Sequence, residues 1–357
     1  MDVSAKITGI RYQPLLCRPL NRWAISDLES ALSKDTVFIL VIDKNRELAL
    51  SWWVSPKRTR SYPYAKVYNS LSFSGKKVTV IPVIKDEGKD GDRDFLQWDT
   101  VSLMSLLGVY TIISYYGTAE RSSRYTHKIR NQRFDIQHIK GEIDNILCYQ
   151  SDALHWNLAQ LEKIKEIAQK ALASYGDISK RLGADMHSLE SAEKRIERLI
   201  KSKDAFLQVS RELARKAQSR EVVTVQPKEK LAGVKASITI RNYLGGCYFF
   251  TCDEVKIEDD NIYLIEGKHS KKALIPSLDD IKDGLIKMIL FTNLREVEIG
   301  DKEYNPIAVL RLTSDMEFVK ENLRTSQLET LQLLKKEAKI NNFMVMLNGI
   351  NLQDIEL

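Results

Sequence analysis

The chain has 357 residues, 43% of them hydrophobic, which is enough for two or three cored domains and too much for one small one. Its formal net charge of +6 suits a polyanionic partner without demanding one. Four cysteines (Cys17, Cys148, Cys247 and Cys252) lie without CxxC spacing, which excludes a zinc ribbon and argues against a disulfide framework, and no apolar run is long enough to span a bilayer. With an N-terminus, MDVSAKITGIRYQPL, that lacks an apolar signal core, the expectation is a cytoplasmic protein with no membrane partner.

Three short apolar runs come first: TVFILVI at 36 to 42, LALSWWV at 48 to 54 and VTVIPVI at 78 to 84, each of strand length and bounded by polar residues. Between the second and third lies SPKRTRSYPYAKVYNS, where Lys57, Arg58, Arg60 and Lys66 interleave with Tyr62, Tyr64 and Tyr68. Cations that neutralise phosphates and rings that stack on bases make this a candidate DNA-contacting loop; the alternative is a solvated loop with half-packed tyrosines. KDEGKDGDRD at 85 to 94 is predicted to be a charged surface loop, and its acids do not have EF-hand spacing. An apolar stretch from Val101 to Tyr116 has helical length.

From Ile136 to Arg220 the pattern is helical, with Ile143, Ile146, Leu147, Leu154, Leu158 and Leu161 near three-and-four spacing, and Gly176 and Gly183 read as breaks. Strand grammar returns at Val222 with VVTVQP, ASITIRNYLGGCYFFTCDEVKI and IYLIEGK. A helix is predicted over SLDDIKDGLIKMILFTNL, capped by Ser277 with Asp279 and Asp280 in its first turn, followed by a strand at IAVLRL, a helix near 315 to 339 and NNFMVMLNG at 341 to 349. The expected organisation is an N-terminal mixed region over 1-135, a helical region over 136-204 that could dimerise or clamp DNA, and a core over 205-357.

The sharpest chemical signal is Glu266-Gly267-Lys268. ExK triplets also occur at Glu87, Glu254 and Glu337, but only this one ends a strand-phased aliphatic row, because Ile262, Leu264, Glu266 and Lys268 share one face. If Ile257 pairs with Ile262 across a loop at Glu258 to Asn261, stepping outward brings Asp253 opposite Glu266 on the same face. A one-residue slip would put Glu254 there instead. Two adjacent carboxylates repel unless a cation lies between them, and magnesium takes such hard oxygen ligands; the backbone carbonyl of Gly267 is a further candidate ligand. A neighbouring lysine can stabilise charge developing on a phosphate.

DEVKIEDDNIYLIEGKHSKK, followed by an amphipathic helix, resembles the PD-(D/E)xK nuclease superfamily over residues 210 to 312. The wider chain, including IPVIKDEGKDGDRD, AQSREVVTVQP and NYLGGCYFFTCDEV, is similar to bacterial type II restriction endonucleases. The resemblance implies an α/β (α+β) fold with a restriction-endonuclease-like mixed sheet flanked by helices, and Mg2+-dependent, site-specific hydrolysis of double-stranded DNA by a homodimer. By position, Asp253 and Glu266 would ligate metal and Lys268 would serve the water and phosphate. Cys252 stands where the name-giving motif has proline. Some members add an acid from a helix before the sheet, for which Glu212 and Glu221 are candidates. Gln226, His269, Ser270, Lys271 and Lys272 are candidate DNA contacts. A structure-specific repair or junction-resolving nuclease of the same fold and a catalytically silent DNA-binding protein are the competing expectations. No GxxxxGK[ST], GxSxG or HExxH motif is present, and the five histidines lack zinc spacing, so no nucleotide cofactor is expected.

Overall fold

The computed structural model describes residues 1–54, 63–200, 234–242 and 247–357. Lys57, Arg58, Arg60, Tyr62, Glu212, Glu221, Gln226 and the VVTVQP run lie outside them. The chain forms two compact units of mixed α/β character, one from Met1–Arg18 with the described part of Arg211–Leu357, the other from the described part of Pro19–Ser210. Among the described residues no helix is long and apolar enough to cross a membrane.

Strand β1 (Asp2–Ile7) belongs to the first unit; the chain then builds the second. Its strands are β2 (Arg22–Ala24), β3 (Val37–Val41), β4 (Glu47–Trp52), β5 (Lys77–Pro82), β6 (Ile84–Asp86), β7 (Arg93–Phe95), β8 (Val109–Ser114), β9 (Tyr116–Arg121) and β10 (Ile129–Phe134). Its helices are α1 (Leu28–Lys34), α2 (Pro63–Ser70), α3 (Trp98–Leu106), α4 (Ile136–Cys148), α5 (Ala153–Leu182) and α6 (Leu189–Ile200). The three apolar runs become β3, β4 and β5 in a five-stranded sheet of order β2-β3-β4-β5-β8.

Several local expectations change here. The Val101 to Tyr116 stretch is not one helix: α3 ends at Leu106, Gly108 turns the chain at φ 70°, and β8 follows. All six β8 residues are buried, so this strand shows no alternation and cannot be told from a buried helix by pattern. KDEGKDGDRD is not loop throughout, because its ends pair as the β6–β7 hairpin. Its acids serve the fold: Asp86 pairs with His187 at 2.7 Å, and Glu87 with Lys85 and Lys128 at 2.7 and 3.1 Å. The second half of the basic aromatic segment is helix α2 rather than loop, with Tyr68 fully buried, Tyr64 edge-on to Trp53, and the Lys66 ammonium over the Trp52 ring. Gly176 lies inside the continuous α5, whereas Gly183 does end it, as a left-handed C-cap.

The first unit resumes with β11 (Val234–Asn242), β12 (Cys247–Glu258), β13 (Asn261–Ser270), α7 (Leu278–Phe291), β14 (Arg295–Ile299), β15 (Lys302–Ser314), α8 (Thr325–Asn341), β16 (Met344–Leu347) and β17 (Ile350–Asn351). The helix expected near 315 begins only at Thr325. The strands run in the order β13-β12-β11-β1-β14-β15-β16-β17, and β13 also pairs in parallel with β15, so six strands form a closed circuit of pairings. β1 joins this sheet between β11, to which it is parallel, and β14, to which it is antiparallel. Between the parallel strands β13 and β15 the chain crosses over through α7, as parallel pairing requires. Ser277 starts that helix with a capping box, its hydroxyl accepting from the Asp280 amide while the Asp280 carboxylate accepts from the Ser277 amide. Helix α7 is buried on most of its circumference; Ile281, Leu285 and Ile286 join Ile262, Leu264, Leu310 and Leu312 in the fully buried core.

Candidate functional site

The hairpin of β12 and β13 has the register read from sequence: Ile257 opposite Ile262, Val255 opposite Leu264, Glu254 opposite Ile265. On its other edge β12 pairs with β11, where Ala236 faces Cys252 but Val234 faces Val255. Two residues of β12, Asp253 and Glu254, therefore span the place of one residue of β11, a bulge of the kind that re-aims side chains at strand ends. It sends the two acids apart.

Asp253 turns towards β13. Its Oδ2 accepts a 2.9 Å hydrogen bond from the Gly267 amide, next to Glu266. Glu254 takes the opposite direction, is buried, and meets the Arg311 guanidinium at 2.5 Å, so it is committed to a structural ion pair. Glu266 is 6% exposed, at the end of the row Ile262, Leu264, Glu266, Lys268. Lys268 Nζ lies 3.0 Å from Glu266 Oε1 and 2.7 Å from Asp283 Oδ2 of helix α7. One turn further along α7, Lys287 sends its ammonium to the Thr251 carbonyl at 2.6 Å.

The charges within this cluster set one another's proton affinities. Burial, then the neighbouring Glu266 charge, push the Asp253 carboxyl up to about 7. Burial also works against the charge on Glu266, but the Lys268 and Lys287 ammoniums outweigh it and hold that carboxyl below its ordinary range. Burial alone would favour a neutral Lys268; Glu266 and Asp283 reverse this and raise its pKa. Asp283 is raised by burial, with Lys268 pulling the other way. The two neighbouring acids are thus pushed apart in proton affinity, Asp253 up and Glu266 down. Cys252, beside them, is fully buried, and its thiol is pushed up to about 12, chiefly by burial, so it is not a thiolate.

The sequence-predicted Asp253, Glu266 and Lys268 are thus brought together, and Gly267 contributes its amide. His269 falls on the other face of β13, with Nδ1 at 3.0 Å from Thr313 and Nε2 at 3.5 Å from Asp315. Ser270 accepts from the Ala273 amide, and Lys271 and Lys272 are exposed just beyond β13. Asp283 and Lys287 were not singled out from sequence. The signal available was their i,i+4 spacing, which puts both on the face of α7 that meets the ExK strand. Among the described residues no group of three or more His, Cys, Asp or Glu side chains is arranged to hold a metal. Two converging carboxylates are nevertheless a donor set magnesium accepts when waters and phosphate complete its shell. No family model, curated protein or solved structure matches the chain.

Proposed function

We propose that this chain is a magnesium-dependent endonuclease of the PD-(D/E)xK type, acting on double-stranded DNA as a type II restriction enzyme and working as a homodimer on a twofold site. The observation that carries the proposal is the Asp253–Glu266 pair: a part-buried Asp253 carboxyl held on the Gly267 amide, beside the buried Glu266, with Lys268 3.0 Å from Glu266 on the same face. A cation beside both carboxyls would offset the burial and repulsion that raise Asp253, and two such oxygen donors suit magnesium. Asp253 and Glu266 would hold it, with Gly267 adjacent. When bound, magnesium supplies charge for the scissile phosphate and acidifies a water. The chain runs β12, β13, α7, β14, β15, with β13 and β15 parallel, and this parallel pair joined across a helix is the feature of the sheet that supports the reading.

The chain's own groups have distinct tasks under this proposal. Gly267 orients the Asp253 carboxyl through its amide. Lys268, kept charged by its acidic neighbours, stabilises negative charge gathering on the phosphate oxygens. Lys271 and Lys272, exposed past the strand end, are placed to neutralise DNA phosphates flanking the cut. The test is digestion of mapped plasmid DNA with magnesium or with chelator, followed by sequencing of the ends. Defined, magnesium-dependent fragments are expected, with loss of at least about 100-fold in rate for Glu266→Ala and Lys268→Ala at little change in DNA binding. Full cleavage by Glu266→Ala would refute the site, and nicking governed by DNA structure rather than sequence would refute the restriction assignment.

A further inference from the structure

We infer that Asp283 is a positioning residue for Lys268, and that Gly284 supplies the clearance that lets it act. This rests on the nuclease assignment above for its consequence in catalysis, but its geometry stands independently. Lysine is a flexible point charge on a four-carbon stem, so an ExK lysine has to be held if its ammonium is to stay at one place. Glu266 alone would hold it from one side, at 3.0 Å. Asp283 Oδ2 binds the same nitrogen from helix α7 at 2.7 Å, the shorter of the two contacts. Both side chains are largely buried, 14% and 15% exposed, where solvent does not weaken the pair.

The next residue explains how the helix comes so close. A Cβ built on Gly284 would lie 2.6 Å from Leu310 Cδ1 and 3.3 and 3.4 Å from Cε and Cγ of Lys268. A side chain here would have to displace the Leu310 methyl and press on the Lys268 stem, disturbing the position in which Asp283 meets the ammonium. The Asp283-Gly284 pair thus acts as a clamp: the glycine lets the lysine stem pass, and the carboxylate fixes its end. Asp283 does not lie in strand phase with Asp253 and Glu266; it comes from the crossover helix, after the ExK strand rather than before the sheet.

The experiment compares the full-length chain with Asp283→Asn and Gly284→Ala. Each is treated with an amine-acetylating N-hydroxysuccinimide ester, and acetylation is read residue by residue by mass spectrometry. Exposed Lys271 and Lys272 serve as references, and fully buried Lys282 reports that the fold is intact. Released from Asp283, the Lys268 ammonium should swing out of its buried position and become accessible to the reagent, raising its labelling by roughly tenfold in both variants. In parallel, kcat for cleavage should fall by on the order of 10–100-fold with KM and DNA affinity unchanged, as for other groups that orient a reacting side chain. Unchanged labelling of Lys268 in both variants overturns the inference whatever happens to cleavage. Increased labelling with wild-type kcat overturns it as well, since the lysine would then need no holding. A wild-type chain that cleaves no DNA refutes the nuclease assignment alone, and the labelling still decides whether Asp283 holds Lys268.

Discussion

Replacing Asp253 by asparagine is expected to stabilise the magnesium-free protein, by an amount that grows with pH. In the fold this carboxyl titrates at about 7 instead of its ordinary 3.8, first because it is buried and second because Glu266 is charged beside it. Between those values the folded state binds a proton that the unfolded chain has released, so this group's contribution to stability falls as pH rises and is fully lost above pH 7. Each tenfold change in proton affinity corresponds to about 1.4 kcal/mol, so the cost at pH 8 is on the order of 4 kcal/mol. By the same relation the cost at pH 5 is smaller by roughly 2.5 kcal/mol. Asparagine carries no charge at either pH, and its amide oxygen can still accept from the Gly267 amide. Urea unfolding in chelator at pH 5 and pH 8 measures the difference directly: the variant's advantage over wild type should widen by about 2.5 kcal/mol, with the denaturant slope unchanged. Magnesium should close the gap by stabilising wild type preferentially, because a ligand that binds only the folded state adds stability as the logarithm of one plus its concentration over Kd. An advantage that is the same at both pH values would refute the claim that Asp253 and Glu266 press on each other in the fold.

Arg311→Ala leaves the buried Glu254 carboxylate without its guanidinium and should cost about 3–5 kcal/mol in urea unfolding, much of it recovered when Glu254→Gln is added. The two glycines of α5 should respond in opposite ways to alanine, as thermal unfolding would register. Gly176→Ala places a methyl in open space within a helix and should gain roughly 0.5–1 kcal/mol, whereas Gly183→Ala forces an L-residue into the left-handed region and should lose about 1–2 kcal/mol.

What could be read from the sequence was whatever depended on neighbours along one strand pair. The β12–β13 register followed from alternation and a tight connection, because a slip would turn Ile262 and Leu264 outward. The choice among four ExK triplets followed from the same rule, and the structure gives two of the others plain duties: Glu87 joins Lys85 and Lys128, and Glu337 accepts from the Tyr12 hydroxyl and the Leu15 and Leu16 amides. The bulge at Asp253 and Glu254 was not legible, because it arises on the β11 edge and depends on a third strand. Nor was the place of β1 between β11 and β14, whose partners lie more than 200 residues away and leave no local mark in DVSAKI. The helix expected from Val101 to Tyr116 failed for a related reason: a strand buried on both faces has no period to read. Asp283 was hidden by the same limit, since its partner was fixed by how α7 packs on the sheet and not by its spacing in KDGLIK.

The charge balance of the cluster bears on the cation proposed at its Asp253 end without any appeal to resemblance. Three carboxyls, Asp253, Glu266 and Asp283, face two ammoniums, Lys268 and Lys287, in largely buried surroundings. Fully ionised, the group carries one negative charge too many, and an unbalanced charge in such a place is costly. The excess falls on Asp253, whose carboxyl burial and the Glu266 charge push up to about 7, while Lys268 is held by Glu266 and Asp283 and Lys287 by the Thr251 carbonyl. If the cluster existed only to hold the hairpin to α7, exchanging Asp253 for a neutral residue would leave it balanced and more stable, and nothing in the packing requires an acid there. Under the proposed function the acid has a use that a neutral residue lacks, because a divalent cation bound there would balance the excess charge. Asp283 fits the same proposal: it binds Lys268 from α7, so Asp253 is not the acid that has to hold that ammonium.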